Sequence, residues 1–132
     1  MAKANQDNTR SYALTTRNYD FAAIAVNSGT IKGFQATVVI GADNKIIAQN
    51  NPNKVDVETL AKVIKEVAQS FNKGTKELGI GKFHTSELDG PWGHIYINVL
   101  GDKTLITQCD KSAHGDDVLA RLERIIESCS RS

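Results

Sequence analysis

At 132 residues the chain fits a single domain with a modest core. Its 40% apolar and 23% charged residues are ordinary for a globular protein, and 16 basic against 15 acidic residues leave a net charge of +1 and no basic stripe for nucleic acid. No apolar run is long enough to cross a bilayer and the opening MAKANQDNTRSYALTT lacks the layout of a signal peptide, so a soluble cytoplasmic protein without membrane insertion is expected.

Residues 1–18 read as a polar extension in which only Tyr12 and Leu14 offer apolar anchors, ahead of a domain spanning 19–130. Asp20 is placed to cap a short helix, DFAAIAVNSG, with Phe21, Ile24 and Ala25 on one face and Gly29 as a left-handed stop. A β-hairpin follows, Phe34–Ile40 and Lys45–Gln49 around the turn residues Gly41 to Asn44. Ala36, Val38 and Ile40 alternate with Val39, so both faces of its first strand are expected to be covered.

After the linker NNPNKV, the longest helix is expected from Asp56 to Leu78, with Asp56 as its cap. Val57, Leu60, Ala61, Ile64, Val67, Ala68 and Phe71 recur at spacings of three and four, and Val63 widens the stripe. At about 100° per residue the arc from Val63 to Ala61 spans roughly 160°, more than a helix packed on one surface needs. The excess predicts that this helix meets both its own sheet and a partner.

Three further strands are expected: a polar, edge-like one over Lys82–Leu88, a strong one over His94–Leu100, and a third over Lys103–Cys109. Asp89 to Gly93 is read as the loop between the first two. A terminal helix from about His114 to Ser128 presents Val118, Leu122, Ile125 and Cys129 as one stripe, with Asp116 and Asp117 in its first turn. The fold class is therefore α/β (α+β): a three-layer sandwich of a five-stranded antiparallel sheet, the long helix on one face and two helices on the other.

Motifs for chemistry are sparse. Cys109 and Cys129 form no CxxC pattern and are expected to be reduced thiols. His84 and His94 sit on neighbouring strands, but no HxxxH, CxxC or acidic cluster is visible to complete a metal site, and Asp43, Asp89, Asp102 and Asp110 are read as turn residues. Neither a phosphate-cradling glycine loop nor a GxSxG elbow occurs. No catalytic residue, metal or cofactor is expected, and the chain is read as not an enzyme.

With GFQATVVIGADNKIIAQ ahead of the long helix and ELGIGKFHTSELDGPWGHIYINVLGDKTLITQCDKSAHGDDVLARLERIIE completing it, the order of elements resembles the roadblock / dynein light chain family over residues 20–128. The resemblance implies a fold shared with longin and profilin domains and a non-enzymatic scaffold or regulator for a small Ras-like GTPase, or a part of a motor or adaptor complex. It also implies dimerisation, with itself or a paralogue, through the long helix and the strand after it. On this chain those residues are Leu60, Val63, Ile64, Val67, Phe71, Phe83, Thr85 and Glu87. The polar side of the helix (Lys62, Lys65, Glu66, Gln69 and Lys73) and Trp92 become candidate partner contacts. The longer N-terminal extension and the DGPWG loop depart from the family pattern. The alternatives are a profilin-like actin-binding protein and a longin-like sensor holding a small ligand between helix and sheet.

Overall fold

A computed structural model describes residues 18–78, 85–91 and 93–131. Along them run β1 (Asn18–Tyr19), α1 (Phe21–Ser28), β2 (Phe34–Ile40), β3 (Ile46–Asn50), α2 (Val57–Leu78), β4 (Thr85–Gly90), β5 (Gly93–Leu100), β6 (Lys103–Cys109), α3 (Gly115–Ser128) and β7 (Ser130–Arg131). The β-branched runs form the middle of a five-stranded antiparallel sheet of order β3-β2-β6-β5-β4. Val38 lies opposite Gln49 on one side and Ile106 on the other, and Ile106 in turn faces Ile97.

Strand alternation sends the two apolar sets to opposite faces. Ala36, Val38, Ile40, Ile95, Ile97 and Ile106 pack against Val57, Ala61 and Ile64 of α2. Val39, Tyr96 and Leu105 pack against Ile24 of α1 and Val118, Leu122 and Ile125 of α3. The three-layer sandwich and the five antiparallel strands expected from the sequence are thus present, with the long helix on one face and α1 and α3 on the other.

Both expected N-terminal caps form. The Asp20 carboxylate accepts the Ala23 N–H at 3.1 Å. The Asp56 carboxylate accepts the Thr59 N–H at 3.1 Å and its hydroxyl at 2.8 Å, bonds that hold the Asp56 carboxyl below the usual range.

Three hydroxyls cross the α1 side of the core. Ser28 donates to the Ala25 carbonyl at 2.8 Å and lies 2.7 Å from the Thr37 hydroxyl, which is 3.2 Å from that of Thr107. All three residues are fully buried. Thr37→Val keeps the shape but takes away the middle of the relay, leaving Thr107 without its hydroxyl partner. A loss of about 1–2 kcal/mol in stability is expected, read as a lower urea midpoint at unchanged slope. An unshifted midpoint would show that the relay contributes nothing net.

Four local expectations are corrected. Gly29 is right-handed, with φ −64°. A Cβ there would stand 2.9 Å from the Asn50 amide nitrogen and 3.2 Å from the Val26 carbonyl oxygen, so the Asn50 side chain would have to shift. The polar strand runs Thr85–Gly90, and residues 82–84 of the expected Lys82–Leu88 strand lie outside those described. Asp89 consequently belongs to a strand and not to a turn, and the hairpin closes between Gly90 and Gly93, which are register partners. Finally, a second, two-stranded sheet that was not expected pairs Asn18 with Arg131 and Tyr19 with Ser130. The Asp20 N–H, bonded to the Cys129 carbonyl at 2.9 Å, extends this tie between the two ends. Tyr12 and Leu14 fall outside the described residues.

Cys109 and Cys129 are free thiols. Burial, reinforced by the charge of Asp110, pushes the Cys109 thiol up to about 12. It is an inert core group.

Candidate interaction surface

Exposure around α2 is graded. Ile64, Val57 and Ala61 are buried against the sheet, Leu60 and Val67 are half-buried, and Val63 is 50% exposed. This is the arc laid out by the sequence, with Val63 at one margin and Ala61 at the other. Ala61 borders a groove with Ile40 and Ile46, so that margin faces the β2–β3 side of the sheet. The opposite margin, with Val63, therefore faces the β5–β4 side. Leu88 of β4 and Val99 of β5 are half-buried on the same face as α2.

Among the described residues β4 is an outer strand, paired only with β5. Its sequence TSELDG is polar, the usual protection of an edge whose backbone donors and acceptors are unpaired. An incompletely covered apolar helix flank and an open strand edge thus lie side by side. Of the expected dimer-contact residues, Val63, Leu60 and Val67 lie on the flank, and Thr85 and Glu87 on the edge strand. Ile64, 2% exposed, faces its own sheet. Phe83 lies outside the described residues, as does the side chain of Phe71.

The expected partner contacts Lys62, Lys65, Glu66 and Gln69 come together on the other margin. With Asn44, Lys45 and Glu58 they line an open groove of about 600 Å³ between α2 and the β2–β3 turn. The space between α2 and the sheet itself is filled by Ala61, Ile64 and the isoleucines beneath them. The side chain of Lys73 and the whole of Trp92 lie outside the described residues.

A second cluster was not foreseen. Strand alternation and the Asp89–His94 and Glu87–Tyr96 register bring Glu87, Asp89 and His94 to one face at the β4–β5 end. His94 Nδ1 lies 2.5 Å from an Asp89 oxygen and 3.6 Å from a Glu87 oxygen. Ligand atoms of the three residues lie within 4.8 Å of one another. The Asp89 hydrogen bond, then burial, raise the Glu87 carboxyl above its ordinary range, whereas hydrogen bonds from His94 and Glu87 lower that of Asp89. The acidic partners that the sequence reading did not find for His94 are therefore present. Closing the hairpin at Gly90 and Gly93 would have revealed them, because it sets Asp89 opposite His94.

Sequence comparison finds no matching family model and no matching curated protein. Comparison of folds does find matches. MglB of Myxococcus xanthus superposes with a TM-score of 0.72 at 14% identity, covering 80% of this chain and 88% of that one. A Roadblock/LC7 domain from Streptomyces avermitilis gives 0.71 at 8% identity, covering 81% and 92%. A chain of the LokiProfilin2/rabbit actin complex gives 0.57 at 16% identity, covering 84% and 96%. At such identities the likeness is one of fold: the chain has a roadblock-type fold, related in architecture to profilin. Among the described residues no helix is long and apolar enough to cross a membrane.

Proposed function

We propose that this chain is a non-enzymatic cytoplasmic scaffold that self-associates, or pairs with a paralogue, through the Val63 flank of α2 and the open edge of β4. Pairing two β4 edges would satisfy their backbone groups and extend the sheet across two subunits, while the α2 flanks cover each other. The observation that carries the reading is a half-exposed valine, with Leu60 and Val67 beside it, on the side of α2 that faces the outer strand β4. The polar groove along Lys62, Lys65, Glu66 and Gln69 stays outward in this arrangement. It would offer a small Ras-like GTPase, the partner implied by the roadblock resemblance, a mixed-charge platform.

Light scattering at tens of micromolar tests the assembly. Twice the 14.4 kDa chain mass is expected, and a strict monomer would overturn self-association. Affinity capture from the source cell, followed by nucleotide exchange and hydrolysis assays on any recovered GTPase, tests the partner. The profilin-related architecture favours one rival reading, actin binding. Sedimentation with monomeric actin, together with a polyproline-binding assay, decides it: the scaffold reading predicts no complex with either.

A further inference from the structure

We propose that Glu87, Asp89 and His94 form a binding site for a divalent transition-metal cation of the zinc class, on the β4–β5 face beneath the first turn of α3. The ligand set, one imidazole and two carboxylates, suits such a cation. Around a tetrahedral zinc, nitrogen and oxygen ligands at about 2.0–2.1 Å stand about 3.3 Å apart. The 3.6 Å between His94 Nδ1 and Glu87 is near that value already. Asp89, at 2.5 Å, has to retreat by about 0.8 Å to meet it, a small rotation of a side chain that is mostly exposed.

Two further features point to a ligand here. Tyr96, opposite Glu87 in the ladder and on the same face, has a buried hydroxyl with no hydrogen-bond partner among the described residues, and its ring centroid is 6.1 Å from that of His94. A water on the open coordination position would give that hydroxyl a partner. The second feature is Gly115. A Cβ there would stand 2.5 Å and 2.9 Å from the two Glu87 carboxylate oxygens, so the glycine keeps open the space in which that carboxylate lies.

The electrostatics run the same way. Asp116, at the start of α3, adds negative potential at Glu87, and Asp110 also interacts with His94. Among the described residues, His94 is the only basic side chain that forms ion pairs with this group. A dication bound there would offset the carboxylate charge.

The site is complete within one chain and does not depend on self-association. Zinc chloride titrated calorimetrically into the full-length protein is expected to bind one ion per chain and to release protons, so that the apparent heat changes with buffer. His94→Ala and Glu87→Gln are each expected to weaken binding at least about a hundredfold. Gly115→Ala keeps all three ligands yet displaces the Glu87 carboxylate, and should weaken binding about tenfold. Cobalt should give visible absorption bands that His94→Ala abolishes. Failure of the wild type to bind, or wild-type affinity in a folded His94→Ala or Glu87→Gln protein, would overturn the site and mark any bound metal as an adventitious ion only. A wild-type protein that is strictly monomeric yet binds zinc would leave the site standing while removing the proposed assembly.

Discussion

Val63→Glu is expected to turn the self-associated protein into a monomer without unfolding it. Val63 is 50% exposed, so within one chain the substitution sits at the surface and should change stability by no more than about 0.5 kcal/mol. Across a two-fold interface built on the α2 flanks it acts twice, and both copies place a carboxylate in an apolar contact near its own symmetry mate. A dissociation constant raised at least about a hundredfold, equivalent to about 2.7 kcal/mol, follows. The control is Val26→Glu on α1. Val26 is 67% exposed on the opposite side of the sheet, so its mass by light scattering should match wild type. An unchanged mass for Val63→Glu would remove the α2 flank from the interface. Dissociation by Val26→Glu instead would move the interface to the other face.

The different behaviour expected of these two exposed valines shows what was legible in the sequence. Period and width of an apolar stripe can be counted along a helix, so the arc from Val63 to Ala61 and its graded burial are anticipated by spacing alone. The alternation in β2 likewise assigned residues to faces, since strand geometry leaves a side chain only two directions. Registers were less accessible. Asp89 looked like a turn residue because it precedes Gly90 and Pro91, yet the ladder continues to Gly90 and carries Asp89 opposite His94. A shift of that loop's boundary hid the metal-type cluster, because pairing across a hairpin depends on where the turn closes. The β1–β7 ladder was hidden for another reason: two residues at each end carry no periodicity, and only the packing of α1 beside α3 brings them together.

Gly93 has the largest stability effect expected of a single methyl group. Its φ of +131° lies in a region that residues with a Cβ rarely adopt. A Cβ on the present backbone would also stand 2.3 Å from the Cys109 carbonyl oxygen and 2.9 Å from the Asp110 Cα. Those are backbone atoms at the end of β6, itself held by β5 on one side and β2 on the other, so the collision cannot be relieved by turning a side chain. Backbone strain alone costs on the order of 1–3 kcal/mol, and displacing a strand adds to it. Gly93→Ala is therefore expected to lose at least about 3 kcal/mol, a large share of the stability of a domain this size, and to melt about 10 °C or more below wild type. Gly115→Ala makes the comparison sharp: its clash is with the tip of the Glu87 side chain, which can swing away, and its melting temperature should stay within about 3 °C of wild type. Equal melting temperatures for Gly93→Ala and wild type would mean that the β5–β6 junction is looser than its register implies, and that His94, the next residue, is not held firmly against Asp89.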